Sequence, residues 1–136
     1  MTMDLLSVRQ MIALEGRHVK GAGPDSACAI EEKFHNSGKP WCAVCAWVLI
    51  DVVLDVNADP LHKPMLPMVM YTHFVQLHSS GRYRAGEAIF TGYATSYRQE
   101  GIFETPDTVY VLVGNGFRKS ADLMTVRAAQ LHPPTG

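Results

Sequence analysis

The segment Trp41-Cys42-Ala43-Val44-Cys45 carries the residue types with the most obvious chemistry. Two thiols three positions apart, behind a tryptophan, have the spacing of a thioredoxin-type redox pair. That chemistry needs the first thiolate at a helix N-terminus, with a strand before it and a helix after it. Here Asn36-Ser37-Gly38-Lys39-Pro40 comes before and β-branched residues come after. On a strand, Cys42 and Cys45 point to opposite faces and do not meet without a local bend. The same pair is one half of a zinc site, with Cys28, His35 and His62 as further donors. A structural zinc site normally shows two such halves, and only one is present. A small cysteine/histidine metal protein built on Cys42, Cys45 and His73 therefore stands only as an alternative. No cofactor, metal ligand or catalytic residue is assigned.

The remaining reactive side chains fall into no recognisable pattern. The six histidines include no His-x-His and no His-Glu-x-x-His. His73, on a mostly apolar strand face, reads as a satisfied core histidine. No serine stands in Gly-x-Ser-x-Gly. Gly114-Asn115-Gly116-Phe117-Arg118-Lys119-Ser120 lacks the full phosphate-loop pattern and reads as a glycine turn followed by two cations. Asp51 and Asp55 share a strand face about 13 Å apart, too wide for the usual glycosidase pair.

Cations and aromatics make the better candidate. Arg82 and Arg84 flank the turn after the second long strand, and Arg118 and Lys119 follow the glycine turn. If the two turns meet at one end of the sheet, four cations cluster beside Tyr83 and Phe117. Cations interleaved with aromatics suit nucleic acid or an acidic protein surface. Trp47, Tyr93 and Tyr97 are a second candidate set, being residues of the kind that anchor interfaces.

The elements that must hold these residues follow from periodicity and punctuation. Asp4 to about Glu15 reads as one helix, and Asp25 or Ser26 to about Phe34 as a second, with Cys28 facing inward. Trp41 to Val56 alternates as a strand, straight or bent or split, with every even position from Cys42 apolar. Met68 to His78, apolar on both faces, reads as a central strand. Glu87 to Tyr97, Gly101 to Phe103 and Thr108 to Val113 follow as further strands. Gly114-Asn115-Gly116 reads as a hairpin turn, and Asp122 to Ala129 as a last strand or short helix. The expected fold is α+β: two short N-terminal helices, then a curved, mainly antiparallel sheet or small half-barrel of four to six strands. Residues 1–131 form one domain in this reading, and 132–136 a disordered tail.

Composition narrows the class. In 136 residues, 47% are hydrophobic and 18% charged, with a formal net charge of -1. The balance argues against a disordered chain and against a broadly non-specific nucleic-acid binder. The longest apolar run, Ala43 to Ile50, is far short of the roughly 20 residues of a membrane span. Met1 to Gln10 has no long apolar core, so a cytoplasmic protein with reduced thiols is expected.

The stretch Tyr71-Thr72-His73, Ser80-Gly81-Arg82-Tyr83, Gly86-Glu87, Gly101-Ile102-Phe103-Glu104-Thr105, Thr108 to Val113, Gly114, Gly116 and Arg118-Lys119 resembles small uncharacterised proteins of pseudomonads and their phages. It spans residues 68–120. The resemblance implies a phage-derived inhibitor or modulator that binds a host protein. The functional expectation is thus a non-enzymatic protein-binding module, with a host protein as partner and a homodimer as its own assembly. The alternative is a nucleic-acid or nucleotide binder using Arg82, Arg84, Arg118 and Lys119.

Overall fold

The structure, a computed structural model, describes residues 7–35, 38–53 and 65–132. Helix α1 (Val8–Ile12) starts at a capping box. Gln10 N–H donates to Ser7 Oγ, and Ser7 N–H donates to Gln10 Oε1. The chain leaves the helix at Ala13, well before the expected Glu15, and enters strand β1 (Arg17–Lys20). Helix α2 (Pro24–His35) follows. The two helices are therefore no N-terminal pair, because a strand separates them. Arg17-His18-Val19-Lys20 carries no apolar alternation, so only its main-chain pairing reveals it as a strand.

Strand β2 (Trp41–Val53) is the axis of the molecule. It pairs antiparallel with β3 (Met68–His78) along one edge. Short strands β4 (Ile89–Phe90), β5 (Ser96–Arg98), β6 (Ile102–Glu104) and β7 (Val109–Leu112) follow. The stretch read as one strand from Glu87 to Tyr97 is thus two pieces, β4 on β3 and β5 on β6. Strand β8 (Asn115–Asp122) leads into helix α3 (Leu123–Leu131), capped by Asp122. The sheet has eight strands among the described residues, more than the four to six expected. One path runs β1-β8-β2-β7-β6-β5, with β3 and then β4 on the other edge of β2. The architecture is α+β, with the sheet curled into a half-barrel.

The largest departure lies at Gly114-Asn115-Gly116. This is no hairpin turn. β7 and β8 run on in the same direction, both parallel to β2 and along the same edge of it. Val44 pairs with Leu112 and Val48 with Phe117, so the β7–β8 side holds one extra residue between these points. The irregularity is matched on β2, where Ala46 has φ of 50°. Trp47 fills the space between. Its ring is fully buried and its Nε1–H donates to Val113 O at 3.1 Å. A Cβ on Gly116 would lie 2.4 Å from that ring, and one on Gly21 would lie 2.3 Å from Gly114 O. The glycines serve close approach around Trp47 rather than chain reversal.

Three apolar clusters result. The inner face of the curl holds Val44, Trp47, Leu49, Met70, Phe103 and Leu112. Helices α1 and α3 cover Val48, Ile50, Val69 and Tyr71 on the outer face. Helix α2 covers Trp41, Ala43, Ile102 and Val109. His73 is satisfied, as its apolar setting suggested, with Nε2 2.6 Å from Ile12 O. Cys28, expected inward, is exposed on α2. The end of the strand read to Val56 lies outside the described residues, with the rest of 54–64, and so do 1–6, 36–37 and 133–136.

His78 closes β3 and gives a pH prediction. Its Nδ1 accepts from Ser80 N–H at 3.2 Å, which requires the neutral ring. Burial, and then the Arg82 charge, lower its pKa below the ordinary value. The unfolded chain therefore takes up this proton first as pH falls. The stability contribution is complete above about pH 6.5 and is lost as pH falls through the lower folded-state value. The wild type is expected to lose melting temperature between about pH 7 and pH 5, and His78→Asn to lose less over the same window. Parallel slopes for the two proteins would refute this assignment.

Candidate functional site

The two expected basic turns do not meet. His78, beside Arg82, pairs with Cys42 near the start of β2, whereas Arg118 pairs with Leu49 near its end. These points are about 20 Å apart along the strand. The expected cluster of four cations with Tyr83 and Phe117 is therefore split into separate places.

Arg82 and Tyr83 lie by the end of β3. The Arg82 guanidinium stands 5.5 Å over the Tyr83 ring, which packs near His78. With Tyr93 and Tyr110 they line a groove of about 340 Å³. Arg84 is exposed, and its backbone N–H donates to the Glu87 carboxylate. Lys119 is structural. Its Nζ donates to Gln10 O at 2.8 Å and Ala13 O at 3.0 Å, meeting carbonyls at the end of α1. Phe117 packs on the outer-face core and against His18, ring centroids 4.9 Å apart. Trp47, expected at a surface, has no exposed area at all. It is the core wedge described above.

Arg118 and Tyr97, taken from different candidate sets, do come together. β1 flanks β8 and the β5–β6 hairpin flanks β7, both on the same side of β2, so β1 and β5 stand on either side of a seam. Arg118 Nε and Nη2 donate to the two Asp51 oxygens at 2.8 and 2.9 Å. The same guanidinium stands 5.6 Å from the Tyr97 ring centroid. Arg17, His18, Val19 and Lys20 form one wall of the seam, and Tyr97 and Gln99 the other, around about 310 Å³. Tyr97 is half-buried. Burial raises its phenol above the ordinary range, while Arg118 and Arg17 pull the other way.

The charge is uneven across the seam. Arg118 is neutralised by its bidentate carboxylate. Arg17 and Lys20 are exposed and make no ion pair among the described residues. These two cations and His18 were missed in the sequence because β1 has no hydrophobic pattern. The available signal was a short cationic run between Gly16 and Gly21, which is how natural proteins often furnish an exposed sheet edge.

A family model described as Domain of unknown function (DUF6957) matches residues 18–128. The chain belongs to this family. The DUF6957 match takes in β1 from His18 on, the rest of the sheet and most of α3, and is wider than the stretch 68–120 that carried the resemblance. It includes the seam residues His18, Lys20, Tyr97 and Arg118. No curated protein and no solved structure matches the chain.

The thiols of this DUF6957 chain are held apart by environment. Cys42 is sealed in the inner core, and burial pushes its thiol up to about 12. Cys45 is half-buried, its thiol also raised by burial and directed to Phe74 O at 3.8 Å. No group of three or more His, Cys, Asp or Glu side chains among the described residues is placed to hold a metal ion. The side chain of His35, and His62, lie outside that description. Native protein titrated with a disulfide reagent near pH 8 is expected to lose Cys28 first and Cys45 more slowly. Cys42 should react only on unfolding. Reaction of Cys42 in folded protein, read by mass spectrometry of peptides, would contradict the buried assignment. No described helix is long and apolar enough to cross a membrane.

Proposed function

We propose that this DUF6957 domain is a non-catalytic protein-binding module that takes an acidic segment of its partner at the seam between β1 and β5. The observation that supports it best is the pair of cations without ion partners, Arg17 and Lys20, standing on an open sheet edge beside Tyr97 and Arg118. Such an edge offers an acidic partner both charge complementarity and an aromatic contact. A phage-derived modulator of a host protein fits this reading as the biological setting.

The nucleic-acid reading draws on the same residues but is the weaker one. Tracking a phosphate backbone needs a run of available cations. Arg118 is already bound to Asp51, and Lys119 to carbonyls of α1, while Arg82 and Arg84 lie elsewhere. A homodimer formed edge to edge through β1 would set Arg17, His18 and Lys20 against their own copies, so the seam favours a partner of different sequence.

The test is recovery of tagged protein from its native cells, wild type beside the double variant R17E/K20E. Both side chains are exposed, so the variant is expected to unfold at the same urea concentration as the wild type. A stoichiometric partner retained by wild type and lost by the variant is the expected result. A partner held equally by both proteins would move the contact surface away from the seam.

A further inference from the structure

Building on the seam as the contact surface, we propose that the partner binds by strand addition, an extended acidic segment pairing its backbone with the free edge of β1. Among the described residues, strand β1 pairs on one side only, with β8. Gly21 N–H donates to Gly114 O in continuation of that antiparallel ladder. Alternation then turns the odd residues Arg17 and Val19 toward β8, and the even residues His18 and Lys20 toward the open side. Each of those two residues offers the seam one N–H and one C=O. A polypeptide strand supplies the matching acceptors and donors in the same alternation. A phosphate backbone supplies acceptors alone and would leave both carbonyls unmatched, which favours a protein segment over nucleic acid.

The side chains restrict which strand enters. Cations on an open edge repel edges like themselves, and this is how sheets avoid indiscriminate pairing. Arg17 flanks the inner side of the added strand, and His18 and Lys20 the outer side, since His18 packs on the outer-face residue Phe117. An acidic strand finds a cation on either face. A second copy of β1 finds only like charge.

The probe is a blocked synthetic peptide of seven residues, Val-Glu-Glu-Val-Glu-Glu-Val, which carries glutamates on both strand faces and is long enough to run the length of β1. Backbone pairing is read directly by amide hydrogen exchange of the full chain, free and saturated with peptide. The expected result is saturable binding, weakened at least about tenfold in R17E/K20E, with the His18 and Lys20 amides slowed at least about tenfold in the complex. Binding that leaves these two amides at their free rate would overturn strand addition while leaving the seam as an acidic-partner surface. Absence of peptide binding would overturn both readings. Oligothymidylate of equal charge binding more tightly than the peptide, and losing that affinity in R17E/K20E, would replace both with a nucleic-acid surface.

Discussion

Trp47→Ala is expected to lower the unfolding free energy by about 4 kcal/mol, the usual range for deleting a buried tryptophan. The reason is threefold. The ring sits on the inner face of the curl with no exposed area. Its Nε1–H satisfies Val113 O at 3.1 Å, where β7 passes into β8. Its bulk fills the one place where both β2 and the β7–β8 edge are irregular, at Ala46 and Gly114. Removing the ring leaves a cavity, an unpaired carbonyl and no support for the strained Ala46 backbone. A domain of this size has about 5–15 kcal/mol in total, so the variant would stand close to unfolding at ambient temperature. Trp47→Phe keeps most of the volume and loses the hydrogen bond, and should fall between the two. Urea unfolding followed by circular dichroism measures the series. An unchanged midpoint in Trp47→Ala would mean that the residue is a surface anchor after all.

Gly116→Ala is expected to cost about 1–3 kcal/mol by the opposite mechanism, overpacking. The added Cβ would lie 2.4 Å from Trp47 Cδ2 and Cε3 and 2.6 Å from Trp47 O. The carbonyl cannot move aside without breaking the β2–β8 ladder. Gly92 is the control, since a Cβ there meets nothing within 4 Å. Gly92→Ala should therefore leave the midpoint nearly unchanged. The two sites of the wedge must also couple. In the double variant Trp47→Ala/Gly116→Ala the new methyl enters space the ring has vacated. The loss should be smaller than the sum of the single losses by about 1 kcal/mol. Strict additivity would show that Gly116 is required for something other than the tryptophan.

The same residues explain which parts of this protein its sequence reveals. Strands β2 and β3 are legible because alternation and β-branched runs mark them wherever a face is buried. β3 runs from Met68 to His78 and β2 starts at Trp41, both as expected, while the expected end of β2 at Val56 lies outside the described residues. Helix α2 is legible from Pro24 and its following turn. The curled α+β form follows from short connections between strands. Whether Cys42 and Cys45 meet was open in the sequence, because it depends on whether their strand is straight; the structure buries Cys42 and leaves Cys45 half-buried.

Only the tertiary structure decided the rest. Gly114-Asn115-Gly116 has the composition of a hairpin turn, yet the packing of one tryptophan makes two of these residues part of a continuous edge along β2. Local sequence reports which backbone angles a residue tolerates, not which of them a neighbour will require. Trp47 has the chemistry of an interface anchor and of a core wedge alike, and burial alone separates the two. Arg17, His18 and Lys20 carry no strand signal, since their element is held by main-chain hydrogen bonds to β8. Arg118 and Tyr97 are 21 positions apart and on strands that do not pair, and they meet because β7 and β8 share one edge of β2, which sets the β5–β6 hairpin beside β8. The chain's alternation determined that a sheet would form, but not the buried face of β2: Cys42 and Val44 line the inner cluster, and beyond Ala46 it is Trp47 and Leu49 that do so while Val48 and Ile50 turn to the outer one. Which cations stand together, and on which edge, was settled by how the strands pair, a property of the eight described strands together and of no single segment.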